Sequence, residues 1–172
     1  MSKLNVLSFD PSLRNWGIAL LEFDTINNSF EVEQVAVIKT SNNKPKTSVA
    51  VNDVLTAKKL IDGILDFTTD KPIDVITIEL PLGSQQAAAM KGYGIVIGLV
   101  AALTTLNIPM IYKSPFDIKK VIGNRKTTKE EIIDWVNLKH PNKLSKYKNQ
   151  AEHQADAILA AYASINELKE MV

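Results

Sequence analysis

The chain has 172 residues, 45% of them apolar, enough for one sizeable core, and no cysteine, which excludes disulfides, thiolate metal sites and cysteine nucleophiles. Its net charge of +1 is unevenly placed: residues 113–148 hold ten Lys and Arg against four Asp and Glu, and the remainder is correspondingly acidic. With no basic-then-apolar leader, and with its longest apolar stretch (residues 92–103) short of the ~20 residues a bilayer span requires, a cytoplasmic protein without a membrane role is expected.

In chain order, residues 3–9 and 16–23 read as strands flanking a turn in which Pro11 fixes φ and Asp10 can start the bend. A third strand is expected over residues 30–39, and a loop with Asn42, Asn43 and Pro45 leads to residues 49–67, whose apolar positions recur at helical spacing. Residues 74–79 form a short β-branched run typical of a strand buried on both faces. A long Ala-rich helix over 84–106 and a fifth strand over 108–112 come next. The remainder reads as helices over 115–121, 128–138 and 152–169, the second opened by the cap signal Thr127-Thr128-Lys129-Glu130. Three strands in hairpin connection, then strand, helix, strand and helices, predict a single α/β domain over residues 1–172. Its mixed sheet has three antiparallel strands plus two parallel ones beside the first.

That order places acids together. Asp10 ends the first strand, Glu79 ends the fourth, and Asp156 falls in the opening turns of the last helix, each beside apolar neighbours. A carboxylate in such surroundings costs several kcal/mol unless a cation or hydrogen bonds compensate. Glu152 and His153 precede Asp156 by four and three residues and so share its helix face. Oxygen ligands suit Mg²⁺ or Mn²⁺, and two such ions can activate water and stabilise a leaving oxygen in phosphoryl transfer. Each residue also has a plainer reading: Asp10 before Pro11 as a turn cap, Glu79 before Pro81 as a strand end, His153 as an ordinary helix histidine. The convergence of three acids in one fold favours the functional reading. The basic segment fits either phosphate contact or a solvated lysine-rich surface.

At these residues the chain resembles the RuvC family of Holliday-junction resolvases along almost its whole length. Asp10-Pro11-Ser12-Leu13-Arg14-Asn15-Trp16-Gly17 is similar to the family's opening D-P-x-x-R-x-x-G, and Ile76-Thr77-Ile78-Glu79 to its second acidic strand. Glu152-His153-Gln154-Ala155-Asp156-Ala157 resembles the closing acid-x-x-Asp-Ala motif, and Tyr112, Val121, Gly123 and Lys129 fall at family spacing. The resemblance implies an RNase H-like fold, a homodimer, and Mg²⁺-dependent paired nicking of four-way DNA junctions, with two Mg²⁺ ions replaceable by Mn²⁺. It implies Asp10, Glu79, His153 and Asp156 as catalytic and metal-binding residues, His153 as fourth ligand or water activator. Arg14, Lys119, Lys120, Arg125, Lys126 and Lys129 would hold phosphates, a contact that positions DNA without reading sequence. A phage or viral source fits the Lys-, Asn- and Ile-rich composition.

The chain departs from the family in three places. Leu80-Pro81-Leu82 is aliphatic where many members carry an aromatic wedge after the second acid, and Ser12 stands where the family often has glycine. Glycine is frequent over residues 83–98, where Gly94 and Gly98 suit close packing, either across a dimer interface or on the sheet. Three other functions compete: a broader branched-DNA nuclease acting on flaps or forks, a junction-binding protein without catalysis, and an actin-like ATPase. The last needs a second domain and a glycine-rich phosphate loop, neither of which is found, so no nucleotide cofactor is expected.

Overall fold

The computed structural model describes residues 3–40, 47–83 and 86–171. Most of the loop expected over 40–47, and the expected helix start at residues 84 and 85, lie outside them.

β1 (Lys3–Asp10), β2 (Asn15–Asp24) and β3 (Ser29–Lys39) form an antiparallel meander. The β1–β2 turn closes on Ser12, whose hydroxyl donates to the Asn15 carbonyl (2.9 Å) and accepts from the Asn15 N–H (3.0 Å). Thr40, just past β3, holds the turn from the side: its N–H reaches the Arg14 carbonyl (3.1 Å) and its hydroxyl the Leu13 carbonyl (2.7 Å). The β2–β3 turn is built by Asp24, whose carboxylate accepts the N–H groups of Ile26 and Asn27, with Asn28 at φ 54°, a left-handed position that asparagine tolerates.

After α1 (Val49–Thr68), β4 (Val75–Glu79) adds parallel to β1. After α2 (Ala87–Leu103) and a 3₁₀ turn (Thr104–Leu106), β5 (Met110–Lys113) adds parallel to β4, giving the order β3-β2-β1-β4-β5. Then come α3 (Pro115–Ile122), α4 (Lys129–Lys139), α5 (Lys148–Ala163) and α6 (Ile165–Glu170). Capping boxes start α3 (Ser114 with Asp117) and α4 (Thr128 with Glu131), each closing two orphan N–H groups.

Alternation along the strands divides the core in two. Leu4 and Val6 of β1, Ala19, Leu21 and Phe23 of β2, and Val75 of β4 face α5, whose Ala155, Ala157, Ile158, Leu159 and Ala161 are buried against them. Leu7, Phe9, Trp16, Ile18, Ile76 and Ile78 face the opposite way, toward Leu60 and Ile64 of α1 and Val96, Leu99 and Val100 of α2. By the same parity Asp10 and Glu79 end their strands on the α5 face.

The structure corrects the sequence reading at four points. The last helix begins at Lys148, not residue 152, because Tyr147 caps it without a side-chain hydrogen bond and leaves no start signal. It breaks at Ser164, whose hydroxyl returns to the Ala160 carbonyl at 2.8 Å and competes with the helical ladder. The fifth strand starts two residues later than expected, at Met110. The apolar helical stretch is also longer than residues 92–103: Ala89–Leu106 is long and apolar enough to cross a membrane by length and composition, because Lys91 is its lone charge. Only 17% of that stretch is buried, and a Cβ added at Gly94 or Gly98 would meet nothing within 4 Å. These glycines therefore do not serve packing on the sheet.

Candidate active site

Phe9 is in register with Ile78 across the parallel β1–β4 pair, so Asp10 and Glu79 end adjacent strands at one level. Helix α5 packs across β1, β2 and β4, carrying Glu152, His153 and Asp156 over the strand ends. Asp156 lies in the third turn of this helix, since the helix starts at Lys148. The close approach is made possible by Gly17, which pairs with Asp10 across β1–β2. A Cβ there would collide with the His153 carbonyl and stand 3.2 Å from the Asp10 Cβ. The glycine that closes the opening motif is thus required by the passage of α5.

The first polar contact in the site is His153 Nδ1 with Asp10 Oδ2 at 2.6 Å. This hydrogen bond raises the imidazole pKa above its ordinary 6.5, against the opposing effect of burial. A carboxylate can only accept, so Nδ1 carries a proton and Nε2 is the ring nitrogen left to take one.

Glu79 is less well served. The residue is half-buried overall, but its Oε2 is sealed from solvent and has no hydrogen-bond partner. Burial, reinforced by the charges of Asp10 and Asp156, pushes its pKa to about 9. Asp156 is pushed to about 7, again mainly by burial and then by Asp10. Burial and neighbouring negative charge thus both disfavour the ionised forms of Glu79 and Asp156.

Two lysines reach this cluster. Lys129, at the first position of α4, bonds Glu152 Oε2 at 2.8 Å, a contact that raises its own pKa. Lys129 and Lys119 both act on Glu79, favouring its charged form. The other expected phosphate ligands stand on neighbouring turns and helices. Lys120 pairs with Asp117 (3.4 Å), Arg125 stacks on the Phe116 ring (4.6 Å to the centroid), Lys126 is exposed in the α3–α4 turn, and Arg14 sits in the β1–β2 turn. Glu152 is engaged by Lys129 rather than directed at the acids. Lys113, absent from the sequence-based set, stands in register with Glu79 on β5 and pairs with Glu167 of α6. Nothing in the local sequence signalled it.

Among the described residues, no three His, Asp or Glu side chains converge as a ready-made ligand set. The expected ligands Asp10, Glu79, His153 and Asp156 are gathered electrostatically, with His153 turned to Asp10. The donor set still fits an oxygen-preferring divalent cation. It is made of carboxylates, it includes one buried oxygen without a partner, and it carries a cost of desolvation and repulsion that a cation would remove.

The mixed sheet, with its acids at the ends of β1 and β4 under a crossing helix, defines the RNase H-like class of α/β fold. No protein-family model and no curated protein matches the chain. Solved structures do. RuvC of T. thermophilus in complex with a Holliday junction substrate matches with a TM-score of 0.71 at 16% identity, over 95% of this chain and 96% of that one. A second Thermus thermophilus RuvC structure gives 0.72 at 14% over 96% and 98%, and the fowlpox virus Holliday junction resolvase gives 0.59 at 13% over 96% and 99%. The chain therefore has a RuvC-like resolvase fold.

Proposed function

We propose that this protein is a divalent-metal-dependent endonuclease that cuts four-way DNA junctions. The observation that carries the reading is Glu79: a carboxyl with a sealed, unpartnered oxygen, held between Asp10 and Asp156 at the edge of a resolvase-type sheet. A fold of ordinary hydrophobic cohesion gains nothing from such a cluster, whereas a cation-binding site requires it.

Asp10, Glu79 and Asp156 would hold Mg²⁺, with His153 beside them, and Mn²⁺ would substitute. The metal would supply Lewis-acid stabilisation of the phosphate and a nucleophilic water at neutral pH. His153 keeps a proton at Nδ1 against Asp10 and can receive one at Nε2. Lys119 and Lys129 hold the scissile phosphate near the acids, and Glu152 fixes Lys129 in place. Arg14, Lys120, Arg125 and Lys126 contact flanking phosphates, which supports binding by shape and charge.

Paired nicks need two active sites, and the outward face of α2 supports a homodimer. Gly94 and Gly98 leave it open and small, Met90 is exposed, and the stretch is apolar far beyond what its burial explains. A broader branched-DNA substrate range is the second reading, favoured by Leu82, which is 61% exposed and aliphatic where a stacking aromatic would discriminate junctions.

The test uses a labelled immobile four-way junction, a flap and a linear duplex, in Mg²⁺ or EDTA, with Asp10→Asn and Asp156→Asn beside wild type. Binding and cutting are scored separately. Junction-selective cutting in Mg²⁺, with both variants binding but not cutting, supports the proposal. Equal cutting of flaps supports the broader nuclease, and tight binding without cutting in any metal overturns catalysis altogether.

A further inference from the structure

Directly beneath the acid cluster, the sheet face that meets α5 is interrupted by two hydroxyls. Ser8 and Thr77 are fully buried and stand opposite each other in the β1–β4 register. Thr77 Oγ1 lies 2.6 Å from Ser8 Oγ, which lies 2.5 Å from the Ala157 carbonyl oxygen in the middle of α5. A backbone carbonyl has no proton to give, so the Ser8 hydroxyl donates to Ala157 and accepts from Thr77. The direction of this relay is therefore fixed, and it ties together β4, β1 and α5.

Each member adjoins one acid. Ser8 is two residues before Asp10 on the same strand face, Thr77 two before Glu79, and Ala157 one after Asp156. An aliphatic pair would fill the same space without the cost of burying two hydroxyls, and Ala157 already lies in a continuous helix. What aliphatic contact does not supply is directionality. Close packing of methyl groups resists a shift of the helix without setting a direction, while a linked pair of short hydrogen bonds adds a directional tie that holds one height.

We propose that Ser8 and Thr77 are positioning residues that set the height of Asp156 over Asp10 and Glu79, and through it the divalent-cation affinity of the site. The inference rests on the metal-site reading above.

Thr77→Val removes the donor while keeping the shape, Thr77→Ser restores it, and Ser8→Ala removes the middle of the relay. Ile132→Val, a substitution of a buried α4 residue that belongs to neither the relay nor the acid cluster, is the control for a simple loss of stability. The primary readout is Mn²⁺ affinity of the DNA-free protein, from the electron paramagnetic resonance of free Mn²⁺. The others are thermal stability, junction affinity in EDTA, and cutting rate. Thr77→Val is expected to weaken Mn²⁺ binding by about tenfold, the usual size for a group that orients metal ligands, and to slow cutting similarly. Junction affinity in EDTA stays within about twofold of wild type, because phosphate contacts dominate it. Thr77→Ser returns Mn²⁺ affinity to near wild type, Ser8→Ala/Thr77→Val binds no more weakly than Ser8→Ala alone, and Ile132→Val leaves Mn²⁺ affinity unchanged.

Thr77→Val with lowered stability but wild-type Mn²⁺ affinity overturns the proposal. If Ser8→Ala does not fold, the shape-conserving Thr77→Val carries the test alone. Wild type that binds Mn²⁺ but cuts no junction defeats the nuclease reading, and the Mn²⁺ comparison still decides the role of the relay. Wild type without Mn²⁺ binding sensitive to Asp10→Asn overturns both.

Discussion

Glu79→Gln should stabilise the metal-free protein, and by an amount that grows with pH. Burial and the neighbouring carboxylates hold the Glu79 proton up to about pH 9 in the folded chain, whereas the unfolded chain releases it near 4.5. Below about pH 4.5 both states are protonated and nothing is lost. As pH rises the unfolded state ionises first, so the folded state loses stability steadily until Glu79 itself ionises near 9. At pH 7 the gap is the interval from 4.5 to 7, which at about 1.4 kcal/mol per pH unit costs the wild type about 3 kcal/mol. Glutamine keeps the shape without the titration, so Tm at pH 7 should rise by roughly 6–12 °C, with no difference near pH 4.5. The assay is thermal unfolding in EDTA from pH 4.5 to 9 for both proteins. Saturating Mg²⁺ should reverse the order, since it stabilises the wild type by binding the folded state and has lost a ligand in the variant. Equal melting curves at pH 8, or a variant less stable than wild type there, would refute the claim that Glu79 is a strained, unpartnered carboxyl.

Gly17→Ala should push α5 off the strand ends and destabilise the fold by about 1–3 kcal/mol in urea unfolding, with a larger loss in cutting than in junction binding. Gly98→Arg places a charge on the open face of α2 without a clash in the monomer, so light scattering should show a folded monomer that nicks junctions singly. The chain has two histidines, and NMR should separate their titrations. His140, buried and bonded to the Tyr162 hydroxyl (2.9 Å), titrates below 6.5, while His153 titrates above it and drops toward 6.5 in Asp10→Asn. Coincident titrations would contradict the Asp10–His153 pairing.

Much of the architecture was legible because period and punctuation agreed. The β-branched run before Glu79 encodes its strand locally, and so does the threonine-to-glutamate signal that opens α4, although the capping box forms one residue later than read, on Thr128 with Glu131 rather than Thr127 with Glu130. The start of α5 at Lys148 was not legible, since Tyr147 offers no cap, and neither was the break at Ser164, which depends on one hydroxyl returning to its own helix. At the site, the strand-end positions of Asp10 and Glu79 followed from the order of elements, and Asp156 with His153 from helical spacing. Three features depended on tertiary contact and left no local trace: the claim of Lys129 on Glu152, the pairing of Lys113 with Glu167, and the burial of Ser8 and Thr77 under α5. Gly17 was visible as part of a motif, but its physical reason, the passage of the His153 carbonyl, appears only when α5 is in place.

The most direct test of the central claim uses a supercoiled plasmid carrying an extruded cruciform, incubated with wild type or Asp156→Asn in Mg²⁺ or EDTA. The account predicts linear product, from paired nicks across the branch, for wild type in Mg²⁺ alone. Linearisation that persists in EDTA or in Asp156→Asn, or a plasmid that stays supercoiled while the protein is bound to it, would contradict it.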